Sequence, residues 1–132
     1  MKDRPFGFIQ RYPIAAYREY LEELSAVCVV PPGALSIDYL IGESQLRGRG
    51  LGARMISAFV TASLMSCREA DDVIVPVSVG NIASWRALER AGFRRIAEGY
   101  LTPDNPRDSG DHYVYEIQHT SNWATPQTFS SD

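Results

Sequence analysis

The feature that most constrains this chain is a strand pattern that runs directly into a glycine-rich turn and then into an amphipathic helix. From Leu35 to Ile41 the residues alternate. Leu35, Ile37, Tyr39 and Ile41 point one way and Ser36, Asp38 and Leu40 the other, which predicts a strand carrying an acid on its second face. The turn Gln45-Leu46-Arg47-Gly48-Arg49-Gly50-Leu51-Gly52 follows. Beyond it, Leu51, Met55, Ile56, Phe59, Val60 and Leu64 recur at helical spacing and predict a helix from about Gly50 to Cys67. Glycines let backbone approach a ligand closely, and the first N–H groups of a helix lack partners within it. Those groups sit at the positive end of the helix dipole, so the turn is suited to hold a phosphate, with Arg47 and Arg49 adding charge.

Two familiar phosphate loops fail on detail. A Walker loop ends in Gly-Lys-Ser/Thr, which is absent here. A dinucleotide fingerprint needs Gly-x-Gly-x-x-Gly, whereas Gly48, Gly50 and Gly52 are spaced as Gly-x-Gly-x-Gly. Read alone, the loop leaves two alternatives open: a phosphate cradle, or a glycine-rich turn with no ligand.

The rest of the chain reads as further strands and helices. Phe6 to Tyr12 is aromatic and β-branched, a strand. Ile14 to Val27 predicts a helix, broken by Pro31-Pro32-Gly33. Val73 to Val79 is a strand in which Pro76 donates no ladder hydrogen bond, implying an edge or a place where neighbours part. Asn81 caps a short helix through Ala91, which Gly92 ends. Phe93 to Leu101 and His112 to Ile117 are two last strands, joined by a turn-rich acidic loop. The class is α/β. At 132 residues the chain makes one domain, over residues 1–117, with a polar tail at 118–132.

Composition excludes more than it selects. Hydrophobic residues make up 45% and charged residues 22%, an ordinary globular balance. No apolar run approaches the roughly 20 residues that span a bilayer, so no membrane partner is expected. Cys28 and Cys67 have no metal-type or redox-type spacing, so no metal is expected and a reduced cytoplasmic location is the simplest reading. The net charge of −3 argues against nucleic acid. It hides a segregation. Arg47, Arg49 and Arg54 lie in a stretch without acids, and Arg86, Arg90, Arg94 and Arg95 face only Glu89, while Glu19, Glu22, Glu23, Asp38, Glu43, Asp104, Asp108 and Asp111 lie elsewhere. Each charge taken singly reads as a solvated surface residue. Together they suggest an anionic ligand near the arginines and a cationic one near the acids.

Gln45-x-x-Gly48-x-Gly50 resembles the Q/R-x-x-G-x-G/A signature of the GNAT family of N-acetyltransferases. Further on, the stretch from Asn81 through Ser84 and Trp85 to Glu89-Arg90-Ala91-Gly92-Phe93 resembles that family's second cofactor motif. The resemblance spans Phe6 to Ile117, and within the family it leans to the aminoglycoside 6'-N-acetyltransferases of antibiotic resistance. Less specific support comes from Phe6–Tyr12, Tyr20-Leu21-Glu22-Glu23, Ser36-Ile37-Asp38 and Thr102-Pro103-Asp104. The resemblance implies a three-layer fold around a mixed, mostly antiparallel sheet. It also implies acetyl transfer from acetyl-CoA to a primary amine by direct attack in a ternary complex. Acceptors outside the aminoglycosides, a protein N-terminus or another small amine, remain alternatives, as does a catalytically weak CoA-binding module.

The same resemblance assigns roles. The backbone of Leu40, Ile41 and Gly42 would pair with the pantetheine arm, provided that strand separates from Val73–Val79. Gln45, Arg47, Gly48, Arg49, Gly50, Leu51 and Gly52 would hold the pyrophosphate, and Asn81 and Ser84 would line the pantetheine channel. Arg86 and Arg90 are either nucleotide contacts or solvated helix charges. Amine attack needs a nearby acid that first holds the ammonium and then takes its proton, and Asp38 is the first choice. Glu22, Glu23, Glu43 and Asp104 would bind a small cationic amine beside it, with Asp111 a weaker candidate. His112 reads as structural. Where many family members carry a tyrosine to protonate the leaving thiolate, this chain has Leu88, so water or another group such as Tyr115 would serve. Only Met1–Pro5 precede the first strand, where the family usually has a strand, two helices and another strand. Either the chain is a fragment, or a partner supplies the missing wall, or the family core is trimmed; an open sheet edge would then drive self-association, and a homodimer is expected.

Overall fold

A computed structural model describes residues 7–41, 51–66, 70–103, 106–107 and 109–118. In chain order these form β1 (Gly7–Pro13), a 3₁₀ turn (Ile14–Ala16), α1 (Arg18–Ser25), β2 (Leu35–Ile41), α2 (Leu51–Ser66), β3 (Asp72–Ser78), α3 (Ile82–Arg90), β4 (Arg94–Tyr100) and β5 (Asp111–Gln118). The sheet order is β1-β2-β3-β5-β4. All neighbours are antiparallel except β2 and β3, which are parallel.

The alternation read from the sequence sorts the strands into two packed faces. On one face Leu35, Ile37, Val73, Val75, Val77 and Tyr115 meet Ile56, Val60 and Leu64 of α2 and Leu88 of α3. On the other, Ile74 and Val114 meet Leu24 of α1, together with Ile14, Ala34 and Leu101. Helices therefore cover both sides of the sheet, giving three layers.

The predicted helix over Ile14–Val27 is instead a 3₁₀ turn and a shorter helix. Tyr17, between them, is extended at φ −122°, ψ 91°. Its ring packs edge-on against Tyr12 at 5.4 Å, a contact an unbroken helix would have to abandon. Elsewhere the predicted elements are in place with small changes at their ends. Asn81 caps α3, its side chain accepting from the Ser84 N–H at 3.3 Å, and Gly92 leaves the helix at φ +101°.

The parallel pairing of β2 with β3 is confined to Leu35↔Val73. Beyond that point the described residues of the two strands part, while β2 keeps its full ladder to β1 from Leu35↔Pro13 to Ile41↔Gly7. Pro76 lies in β3 past the point of separation, so its missing N–H interrupts no ladder on the β2 side.

Candidate functional site

Asp38 leaves β2 on the face opposite Ile37 and Tyr39, and is exposed there. It lines a cavity of about 370 Å³ with Gln10, Arg11 and Tyr12 of β1, and with Tyr17 and Tyr20 at the start of α1. Gln10 is its cross-strand partner in the β1–β2 ladder. The helix break at Tyr17 brings that ring to the wall, and Tyr12 packs against both Tyr17 and Tyr20. Burial, followed by the neighbouring Tyr12 hydroxyl, pushes the Tyr20 phenol well above its ordinary value, so it stays protonated across the physiological range. Ser36, wholly buried, sits on the same face of β2. The result is one carboxylate at a rim of three aromatic rings, an arrangement suited to an ammonium group on an amphipathic body.

On the other face of β2, Tyr39 packs against the core beneath α3. Its hydroxyl is in hydrogen-bonding contact with Ser84 Oγ and donates to the Ser84 carbonyl at 3.4 Å. Burial pushes the Tyr39 phenol up to about 12. This contact joins β2 to the first turn of α3. The Trp85 indole N–H donates to the Val79 carbonyl at 3.0 Å and fixes α3 against the end of β3.

The opening suits an extended, amide-bearing ligand. The β3-facing edge of β2 has no strand partner past Leu35 among the described residues, and unpaired backbone N–H and C=O groups there can take an added strand. Asn81 and Ser84 stand at the start of α3 beside it. The first turn of α2 contains no acid, and its Gly52 and Ala53 are buried, so its N-terminus is suited to an anion. Gly42, Glu43, Gln45, Arg47, Gly48, Arg49, Gly50 and Asp104 lie outside the described residues. Leu40, Ile41 and Leu51 contribute backbone in β2 and α2.

Of the three glutamates of α1, the two expected to bind the amine, Glu22 and Glu23, do not line the Asp38 cavity, nor does Glu19. Glu22 is exposed and pairs with Arg18 at 3.8 Å, whereas Glu23 accepts from the Thr102 hydroxyl at 2.6 Å. Asp111 and His112 are engaged with the turn ahead of β5, through Ser109 and the Gly110 carbonyl. Tyr115 is committed elsewhere: its hydroxyl donates to Glu89 at 2.6 Å and accepts from Arg95 at 3.0 Å. Arg95 also stacks on the Tyr113 ring at 3.6 Å, so one of the clustered arginines is a structural clamp. Arg86 lies over Trp85 at 5.9 Å. Sequence reasoning missed Gln10, Tyr12, Tyr17, Tyr20 and Tyr39 as site residues. The signal was present in the tyrosines flanking Asp38 in β1, β2 and α1, but each fitted a core position equally well.

A family model described as an acetyltransferase (GNAT) domain matches residues 1–101. The aminoglycoside N(6')-acetyltransferase type 1 of Klebsiella pneumoniae is 30% identical over 119 residues, covering 89% of this chain and 53% of that protein. The kanamycin resistance protein of Rhizobium radiobacter is 31% identical over 87 residues, covering 66% of this chain and 73% of that protein. The chain thus spans about half the length of the curated N(6')-acetyltransferases it matches. In fold it is similar to the aminoglycoside acetyltransferase AAC(6')-Ib solved with coenzyme A and kanamycin. That likeness has a TM-score of 0.72 at 24% identity and covers 96% of this chain and 67% of the other. The split between β2 and β3, the capped α3 and these matches agree: the chain belongs to the GNAT acetyltransferase-domain family.

Proposed function

We propose that this chain transfers an acetyl group from acetyl-CoA to a primary amine of an aminoglycoside, at the 6'-amino position, by direct attack with both substrates bound. The observation that carries this reading is Asp38 at the rim of a tyrosine-walled cavity, on the strand that also borders the β2–β3 opening. The relatives named above supply the aminoglycoside as acceptor class.

Acetyl-CoA supplies an activated thioester. In this reading the β3-facing edge of β2 around Leu40 and Ile41 holds the pantetheine arm, with Asn81 and Ser84 along the channel. Gln45, Arg47, Gly48, Arg49 and Gly50, together with Leu51 and Gly52 of α2, bind the pyrophosphate. Asp38 binds the incoming ammonium, then accepts its proton so that the neutral amine can attack. Glu43 and Asp104 add negative charge for a polycation. Glu22 and Glu23 act only as a wider acidic field, given their present partners.

Asp38→Asn should lower kcat by about a hundredfold or more with kanamycin as acceptor, while the CoA dissociation constant stays within about twofold. Thiol release and calorimetry measure the two quantities. An unaffected kcat would remove Asp38 from the mechanism.

We also infer a homodimer, because β1 is flanked only by β2 among the described residues and offers an unpaired edge. Sedimentation at micromolar concentration should give a mass of two chains, and a monodisperse monomer would end that reading. No helix among the described residues is long and apolar enough to cross a membrane. With acetyl-CoA as donor, a cytoplasmic site of action follows, and residues 1–117 act as one domain ahead of the tail at 118–132.

A further inference from the structure

Expulsion of CoA from a thioester leaves a thiolate, and the rate gains from a positioned acid that delivers a proton as the C–S bond breaks. We propose that the Tyr39 hydroxyl is that acid, held in place by Ser84. The inference rests on acetyl transfer as read above.

The geometry is a division of labour across one strand. Asp38 and Tyr39 are consecutive in β2 and project to opposite faces of the sheet. Asp38 opens into the tyrosine-walled cavity, whereas Tyr39 lies on the opposite face, partly buried, with its hydroxyl on Ser84 at the start of α3. A thioester lying in that opening receives the amine from the Asp38 side and loses its sulfur toward the α3 side. On that side the Tyr39 and Ser84 hydroxyls are in contact with each other. Tyr115 is excluded, because Glu89 and Arg95 hold its hydroxyl. Leu88 is wholly buried hydrocarbon and can donate nothing.

The proton balance closes with these groups. Asp38 takes one proton from the ammonium and passes it to solvent, and the freed nitrogen lone pair forms the C–N bond. Asp38 takes the second nitrogen proton as the amide forms. The C–S bond breaks with its electron pair on sulfur, and the Tyr39 proton moves to that sulfur to give the thiol. The tyrosinate is reprotonated from solvent, and the net release is one proton for each ammonium acetylated.

The test uses the whole chain and Tyr39→Phe, which deletes only the hydroxyl. With acetyl-CoA and kanamycin, kcat should fall about a hundredfold, with both KM values within about twofold. Independently of turnover, CoA bound to the wild type should show a thiol that titrates lower than in Tyr39→Phe, read by thiolate ultraviolet absorbance. This is because the phenol donates a hydrogen bond to the thiolate. Ser84→Ala, which keeps the phenol but loosens it, should lose less activity than Tyr39→Phe. A kcat for Tyr39→Phe within about threefold of wild type, with no change in the bound thiol's titration, would overturn the proposal. So would a loss of activity that merely follows weaker CoA binding or a lower melting temperature. If the wild type acetylates no aminoglycoside but the bound-thiol shift is present, the acceptor reading fails and Tyr39 stands.

Discussion

Single residues in this chain are decided by what their neighbours leave unsatisfied. Leu88 is fully buried among aliphatic groups, and a hydroxyl there would need a partner or cost roughly 1–3 kcal/mol. Tyr115, equally buried, meets that requirement through Glu89 and Arg95, and this removes it from chemistry at the β2–β3 opening. Burial, then the bond to Glu89, pushes the Tyr115 phenol up. The hydroxyl of Tyr39 instead meets Ser84, at the start of α3. The sequence shows which face of β2 Asp38 occupies, because strand alternation is local. It does not show that Tyr12, Tyr17 and Tyr20 form one wall, because that wall is assembled from β1, a broken helix and a contact between their rings. Nor does it separate a core tyrosine from a working one, since Tyr39 sits at a position any apolar residue could fill.

At the scale of elements, the capped start of α3 carries a prediction that separates folding from function. Asn81 caps the helix through the Ser84 N–H, and in the proposed reading it also borders the pantetheine channel. Asn81→Ala removes the cap and should cost about 1 kcal/mol without any ligand present. In a chain of this size that lowers the melting temperature by roughly 3–6 °C in a CoA-free thermal scan. If Asn81 also contacts the donor, CoA affinity falls in addition. An unchanged CoA-free melting temperature would mean that the cap contributes nothing. The cap was legible because Asn, a short amphipathic run and Gly92 stand in the order a helix requires. The break at Tyr17 was not, because helical spacing of Tyr17, Tyr20, Leu21 and Leu24 persists across it, while the extended backbone of Tyr17 goes with a long-range ring contact to Tyr12 that local spacing does not encode.

Across the whole molecule, the parting of β2 from β3 was legible only through Pro76, and the sheet order not at all, since strand neighbours are set by long-range packing rather than local pattern. That parting divides the sheet into an open end, with Asp38 and Tyr39, and a closed end near Leu35↔Val73. At the closed end Glu116 lies against Asp72, which is itself buried and accepts from Gln118 at 3.1 Å. Burial first, and then the adjoining Asp72, raise the Glu116 carboxyl from 4.5 to about 7, against a small opposing pull from Arg94. The folded protein therefore holds a proton that the unfolded chain has already released over the interval between those values. Stability must fall as pH rises through that window, and it levels off above it. Thermal melts should accordingly show the wild type losing stability from pH 5 to pH 7.5. Glu116→Gln, which keeps the hydrogen bonding without the charge, should flatten that slope and gain most at the upper end. Parallel slopes for the two proteins would show that this carboxylate pair does not govern the pH response. Glu116 lies on β5, with β3 between it and the strand that carries Asp38, so the variant should retain wild-type kcat, and the same samples assayed for thiol release check whether the two ends of the sheet are energetically separate.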